Sequence, residues 1–82
     1  MEFSYVPEGV CSKLINLKVE NNKVESVSFV GGCDGNLKAI GKLVKGMDVD
    51  KVISLLEGNT CGKRNTSCAD QMCIALKKAI SM

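Results

Sequence analysis

Apolar and polar residues alternate along the first third of the chain. Ile15, Leu17 and Val19 are each separated by one polar residue, and a second alternating run follows after a polar turn. A period of two is typical of β-strands with one buried face, so we expect a hairpin over residues 12–30. The segment from residue 3 to residue 6 is expected to add a third strand at the edge of this sheet.

The turn of the hairpin lies at residues 21–23, where two asparagines tolerate the left-handed conformation of tight turns. A two-residue turn would place Leu17 opposite Ser26 and mix the two faces of the hairpin. A three-residue loop would instead place Leu17 opposite Val27, which keeps the apolar residues on one face. We therefore expect the three-residue loop.

After the hairpin, the apolar spacing changes to the three- and four-residue steps of helices. The first predicted helix stops at Gly46, the second is capped by Asp48 and ends at Gly58, and the third is capped by Ser67. The predicted buried positions are Leu37, Ile40, Gly41 and Val44 in the first helix, Val49, Val52, Ile53 and Leu56 in the second, and Ala69, Met72, Cys73, Leu76 and Ile80 in the third. This order predicts a single α+β domain over residues 1–82, with a three-stranded antiparallel sheet followed by three helices packed on one face.

The composition narrows the range of partners. The 82 residues include only three aromatic side chains and no Trp, and the formal net charge is +2. The basic pairs Lys63–Arg64 and Lys77–Lys78 are too small for a nucleic-acid surface, so no nucleic-acid partner is expected. No apolar run is long enough for a membrane span, and the N-terminus lacks the features of a signal peptide. We therefore expect a cytoplasmic protein that does not enter a membrane.

Five cysteines are a high density for a chain of this kind. In a reducing compartment such a density indicates metal binding or redox chemistry before disulfides. Because the chain has no His, a metal site must depend on thiolates. The carboxylates Asp34, Glu57 and Asp70 have no recognisable acid–base partner, so no catalytic residues are assigned and independent catalysis is not expected.

Four of the cysteines fall at the ends of predicted elements. These are Cys11, Cys33, Cys61 and Cys68. Cys33 and Cys68 lie at helix N-termini, where unpaired backbone N–H groups favour thiolate over thiol. Cys73 instead shares the apolar stripe of the last helix and is expected in the core. Only Cys61 and Cys68 are close in sequence, so a shared site would have to be assembled by the tertiary structure.

The run from Asn65 to Asp70 resembles the signature of the TSCPD family, with Ala69 in place of a proline. The four cysteines named above also occur in the order of that family, and the resemblance covers about residues 3–80. Members occur as small free-standing proteins and as a C-terminal module of adenosylcobalamin-dependent ribonucleotide reductases. The resemblance implies a metal-binding domain, with a ribonucleotide reductase as an expected partner.

A more distant resemblance is to the IscU/NifU iron–sulfur scaffold proteins, which implies an IscU/NifU-like fold. The three scaffold cysteines correspond to Cys11, Cys33 and Cys68. The scaffold aspartate is replaced by Lys13 and the scaffold histidine by Ser67, whereas Cys61 has no counterpart and would add a fourth thiolate. These departures favour a closed site of four thiolates over transient cluster assembly.

Three functions remain open from the sequence. The preferred one is a metal-binding module that holds Zn²⁺, or with lower preference an iron–sulfur cluster, through the four cysteines. The second is a redox accessory of ribonucleotide reduction, in which thiols exchange with disulfides. The third is a scaffold that passes iron–sulfur clusters to an iron–sulfur protein.

Overall fold

The computed structural model describes residues 1–32, 34–60 and 65–81. Three strands come first and three helices follow. They are β1 (Glu2–Tyr5), β2 (Ser12–Glu20), β3 (Lys23–Gly31), α1 (Asp34–Val44), α2 (Val49–Leu56) and α3 (Cys68–Ile80). The predicted α+β class and the predicted order of elements are confirmed.

The strands form one antiparallel sheet in the order β1-β2-β3. The expected pairing of Leu17 with Val27 is confirmed, but the expected three-residue loop is wrong. The turn contains only Asn21 and Asn22, both with positive φ, as in a type I′ turn. A register irregularity after Lys18 leaves one extra residue in β3. This bulge shifts the pairing of the two strands by one residue. The apolar residues of both strands therefore still lie on the same face, although the turn has only two residues.

One side of the sheet and the inner sides of the helices form the core. Helix α3 packs on β1 and β2, α2 packs on α3, and α1 lies against β3. The largest fully buried side chains are Ile15, Val24, Val49, Val52, Met72, Cys73 and Leu76. In the part of the chain that the structure describes, no helix is both long and apolar enough to cross a membrane.

Helix α1 approaches the sheet closely at Gly41, one of the predicted buried positions of this helix. A Cβ atom at Gly41 would lie 2.9 Å from the backbone carbonyl oxygen of Val27. Any larger residue would therefore push α1 away from β3. This close approach sets the spacing between α1 and the strand that leads to it.

Two details of the helices differ from the prediction. Asp48 occupies the N-cap position of α2 without a side-chain cap hydrogen bond, and its carboxylate lies 3.5 Å from the Lys23 ammonium. Ile80 was expected to be buried but is 43% exposed, and Ala79 is buried instead. Seven residues nearly complete two helical turns, so Ala79 lies above Met72, while Ile80 is rotated away.

Candidate metal centre

Cys11 and Cys68 meet although 57 residues separate them in the chain. Cys11 immediately precedes β2, and Cys68 is the first residue of α3. Their sulfur atoms are 3.9 Å apart, which is nearly twice the length of a disulfide bond. Cys11 is exposed and Cys68 is half-buried, so the pair lies at the surface.

The distance between the two sulfurs suits a shared metal ion. In a tetrahedral site with Zn–S bonds of about 2.3 Å, two thiolate sulfurs are about 3.8 Å apart. The observed 3.9 Å agrees with this value without any movement of the backbone. The two thiols therefore already lie at the separation that a four-coordinate ion requires.

Gly32 brings the end of β3 against the same thiol. Its φ of +81° is strained for residues with a side chain, and an added Cβ would lie 3.1 Å from the Cys11 sulfur. The same Cβ would lie 2.9 Å from Cδ1 of Leu37 on α1. Glycine thus allows close contact between the segment that precedes Cys33 and the segment that carries Cys11.

Ser12 adds a hydroxyl group to the site. Its side chain is buried, and its Oγ lies 3.3 Å from the Cys68 sulfur. A hydroxyl at this distance can donate to a thiolate and stabilise its charge. The sequence analysis missed this residue, because a serine at the start of a strand carries no recognisable signal.

The start of α3 is held by its own side chains. Ser67 Oγ accepts from the backbone N–H of Asp70, which is the predicted cap. The same hydroxyl donates to the backbone carbonyl of Asn59. Thr66 donates to the Asp70 carboxylate, which also accepts from the backbone N–H of Gly58 over 2.7 Å. These bonds anchor the helix start that positions the Cys68 sulfur.

Gln71 is a second residue that the sequence analysis missed. Its side chain is buried on the first turn of α3, where the amide nitrogen donates to Thr66 Oγ1 over 3.0 Å. Its carbonyl oxygen accepts a long hydrogen bond of 3.4 Å from the Tyr5 hydroxyl on β1. A single polar residue inside an apolar stripe was the available signal, because a buried amide requires several partners.

The model of the TSCPD domain family matches residues 1–80. The chain belongs to the TSCPD domain family. No curated protein and no solved structure matches the chain. The run from Asn65 to Asp70, which carries the family resemblance, contains the Ser67 cap of α3 and Cys68.

The structure of this TSCPD domain covers two of the four predicted metal ligands and brings both together. Cys33 and Cys61 lie outside the described residues, as does the basic pair Lys63–Arg64. Among residues 1–32, 34–60 and 65–81, no three Cys, Asp or Glu side chains are grouped closely enough to hold a metal ion.

Cys73 lies apart from this site, as predicted. Its side chain is fully buried, and its sulfur lies 3.7 Å from the backbone carbonyl oxygen of Val52. Burial raises the pKa of the Cys73 thiol from the ordinary 9.0 to about 11, and the nearby carboxylates of Asp70 and Glu57 act in the same direction. Cys73 is therefore a neutral thiol of the core.

Proposed function

We propose that this TSCPD domain binds one Zn²⁺ through the thiolates of Cys11, Cys33, Cys61 and Cys68. The observation that carries the proposal is the 3.9 Å separation of the Cys11 and Cys68 sulfurs, which matches two ligands of a tetrahedral zinc ion. The close approach of Gly32 to the Cys11 sulfur supports Cys33 as a third ligand, because Gly32 is the covalent neighbour of Cys33. Cys61 precedes the anchored start of α3 and would complete the set.

The proposed role of the metal is structural. Four thiolates leave no open coordination position, so the ion would not activate water or a substrate. It would join the starts of β2 and α3 to the segment before α1, and its binding energy would add to the folding energy of a small core. Thiolate ligands require reducing conditions, which the cytoplasm supplies.

Metal analysis of protein purified without oxygen tests the proposal. We expect about one equivalent of zinc, in agreement with a closed four-thiolate site. Replacing any one of the four ligands by serine should lower both the metal content and the melting temperature. Cys73→Ala is the matched control, since it removes the fifth thiol from the core and should leave the metal content unchanged.

Three results would contradict the zinc proposal. Metal-free protein whose stability equals that of zinc-loaded protein would exclude a structural metal. Visible absorption together with bound iron and acid-labile sulfide would assign the thiols to an iron–sulfur cluster. Loss of zinc from Cys73→Ala, with zinc retained in the serine variants of the four cysteines, would place the metal away from the proposed site.

The same pair of sulfurs supports a second candidate function, thiol–disulfide exchange as an accessory of ribonucleotide reduction. Oxidation of Cys11 and Cys68 to a disulfide would release two protons and pass two electrons to a disulfide of the reductase. The sulfurs would need to approach each other by nearly 2 Å. A single reversible disulfide, formed by mild oxidant without loss of metal, would support this function, whereas protection of all four thiols by bound zinc would exclude it.

A further inference from the structure

A groove of about 310 Å³ runs between β3 and α1, outside the cysteine site. Lys38 and Lys42 of α1 and Lys45 directly after it line one wall. Ser26 and Ser28 of β3 line the other wall. The bottom of the groove is apolar and includes the half-buried side chains of Val27 and Phe29.

The charged residues that line this groove, among those that the structure describes, are three lysines. Lys42 and Lys45 form no ion pair with any described residue. Three lysines outside the groove are paired: Lys18 with Glu25, Lys23 with Asp48 and Lys77 with Glu57. Lys51 of α2 is exposed and forms no ion pair with a described residue. Lys42 and Lys45 therefore present cations whose charge is left for a ligand to balance.

We propose that this groove binds an extended acidic segment of a partner protein. Side chains on one side of an extended chain repeat at intervals of about 6.8 Å. Lys42 and Lys45 are three residues apart, and a helix rises by about 4.5 Å over three residues. The long lysine side chains can span the difference, so carboxylates at alternate positions of the segment would meet Lys42 and Lys45, and the residues between them would face the apolar bottom of the groove.

The same observations disfavour nucleic acid as the occupant. Stable nucleic-acid binding requires many phosphate contacts, whereas three lysines line this groove. Phe29 is the one aromatic side chain among the described residues that line the groove, so successive bases have no series of rings on which to stack. A short peptide needs fewer charges and gains from the apolar bottom.

The groove leads toward the cysteine site. Gly31 and Leu37 line it. Leu37 is also the nearest neighbour of a Cβ built at Gly32, and that Cβ would lie 3.1 Å from the Cys11 sulfur. A partner held by the lysines would therefore be placed beside the thiol pair. The groove itself is built from residues other than the four cysteines, so its binding does not depend on the zinc proposal.

The experiment is a titration of isotope-labelled domain with a peptide of about nine residues in which glutamate alternates with valine. Backbone amide signals of Ser26, Ser28 and Lys42 should shift and saturate. A peptide with glutamine in place of each glutamate should bind more weakly by a factor of about five or more, because the ion pairs are lost. Added salt should weaken the glutamate peptide only.

Variants of the lysines locate the binding. Lys42→Gln combined with Lys45→Gln should weaken the glutamate peptide roughly fivefold, since glutamine keeps the chain length and removes the charge. Lys51→Gln is the control, because Lys51 is an exposed lysine of α2 outside the groove. It should leave the affinity unchanged.

Several results would overturn the proposal. They are the absence of saturable binding up to about 1 mM peptide, equal binding of the glutamine peptide, or signal shifts confined to other surfaces. Tighter binding of a single-stranded oligonucleotide of equal charge, lost in the double lysine variant, would assign the groove to nucleic acid instead. Because only peptide binding is measured, a negative result here leaves the metal analysis unaffected.

Discussion

The side-chain carbonyl oxygen of Gln71 accepts a hydrogen bond from the backbone N–H of Glu8 over 3.1 Å. Glu8 lies in the loop that leads to Cys11, and Gln71 lies one turn beyond Cys68 on α3. Glu8 is three residues before Cys11, and Gln71 is three residues after Cys68. Their hydrogen bond links two segments that are 63 residues apart in the chain. This bond joins the two segments whose separation sets the distance between the thiols.

Replacing Gln71 by leucine tests this connection. Leucine keeps the volume but leaves the Glu8 N–H without its partner, so we expect a loss of about 1–2 kcal/mol in the free energy of unfolding. Urea denaturation of the metal-free protein measures it. Ser4→Ala removes an exposed hydrogen bond to Asn16 and should cost less than about 0.5 kcal/mol. Equal losses in the free energy of unfolding in the two variants would show that Gln71 does not stabilise the connection between the two segments.

Gly32→Ala should destabilise the domain and weaken metal binding. The positive φ alone costs about 1–2 kcal/mol for alanine, and the new Cβ would press on Leu37 and the Cys11 sulfur. Gly35→Ala is a matched control, since Gly35 lies in a helix and a Cβ built there meets no atom of the described residues within 4 Å. It should stabilise the domain by about 0.5–1 kcal/mol. Thermal unfolding measures the stability of both variants. A change in melting temperature of the same sign in both would contradict this prediction.

The two helix caps should respond differently to alanine. Ser67 makes a cap hydrogen bond and also donates to Asn59, so Ser67→Ala should cost about 1–2 kcal/mol. Asp48 makes no cap hydrogen bond, and its ion pair with Lys23 is exposed, so Asp48→Ala should cost less than about 0.5 kcal/mol. Unfolding in denaturant measures the loss of stability in each of the two variants. A larger loss at Asp48 would show that its position at the start of α2 matters without the hydrogen bond.

Cys73 should make stability depend on pH in the alkaline range. Its pKa is about 11 in the folded chain and the ordinary 9.0 in the unfolded chain, so the folded state retains the proton over this interval. Stability contributed by the neutral thiol is therefore present below pH 9 and declines as the pH rises toward 11. Unfolding measured at several pH values should show a shallower decline in Cys73→Ala than in the natural sequence. Identical slopes would mean that the Cys73 thiol is not buried.

The element order was predictable from the sequence because it depends on local periodicity. A period of two along Ile15, Leu17 and Val19 and a helical period along Val49 and Val52 each identify a buried face. The Ser67 cap was equally local, since a hydroxyl bonds to an N–H three residues away. The hairpin turn was not predicted, because the bulge in β3 is not visible in the pattern.

Half of the candidate site, and the groove, could be located only in three dimensions. The sequence places Cys11 and Cys68 at the ends of elements, which suggested that they converge. It does not determine the distance between them, since that depends on how α3 packs across β1 and β2. Gln71 and Ser12 were missed for the same reason, because their partners are distant in the chain.

By itself, the sequence determined which residues form strands and helices, which faces are buried, and that Cys73 belongs to the core. These properties follow from interactions within a few residues of chain, where periodicity and capping act. Only the tertiary structure brought two thiols 57 residues apart to 3.9 Å and placed three lysines, from α1 and the residue after it, in one groove beside β3. Such contacts depend on the packing of whole elements against each other, and local sequence does not specify that packing.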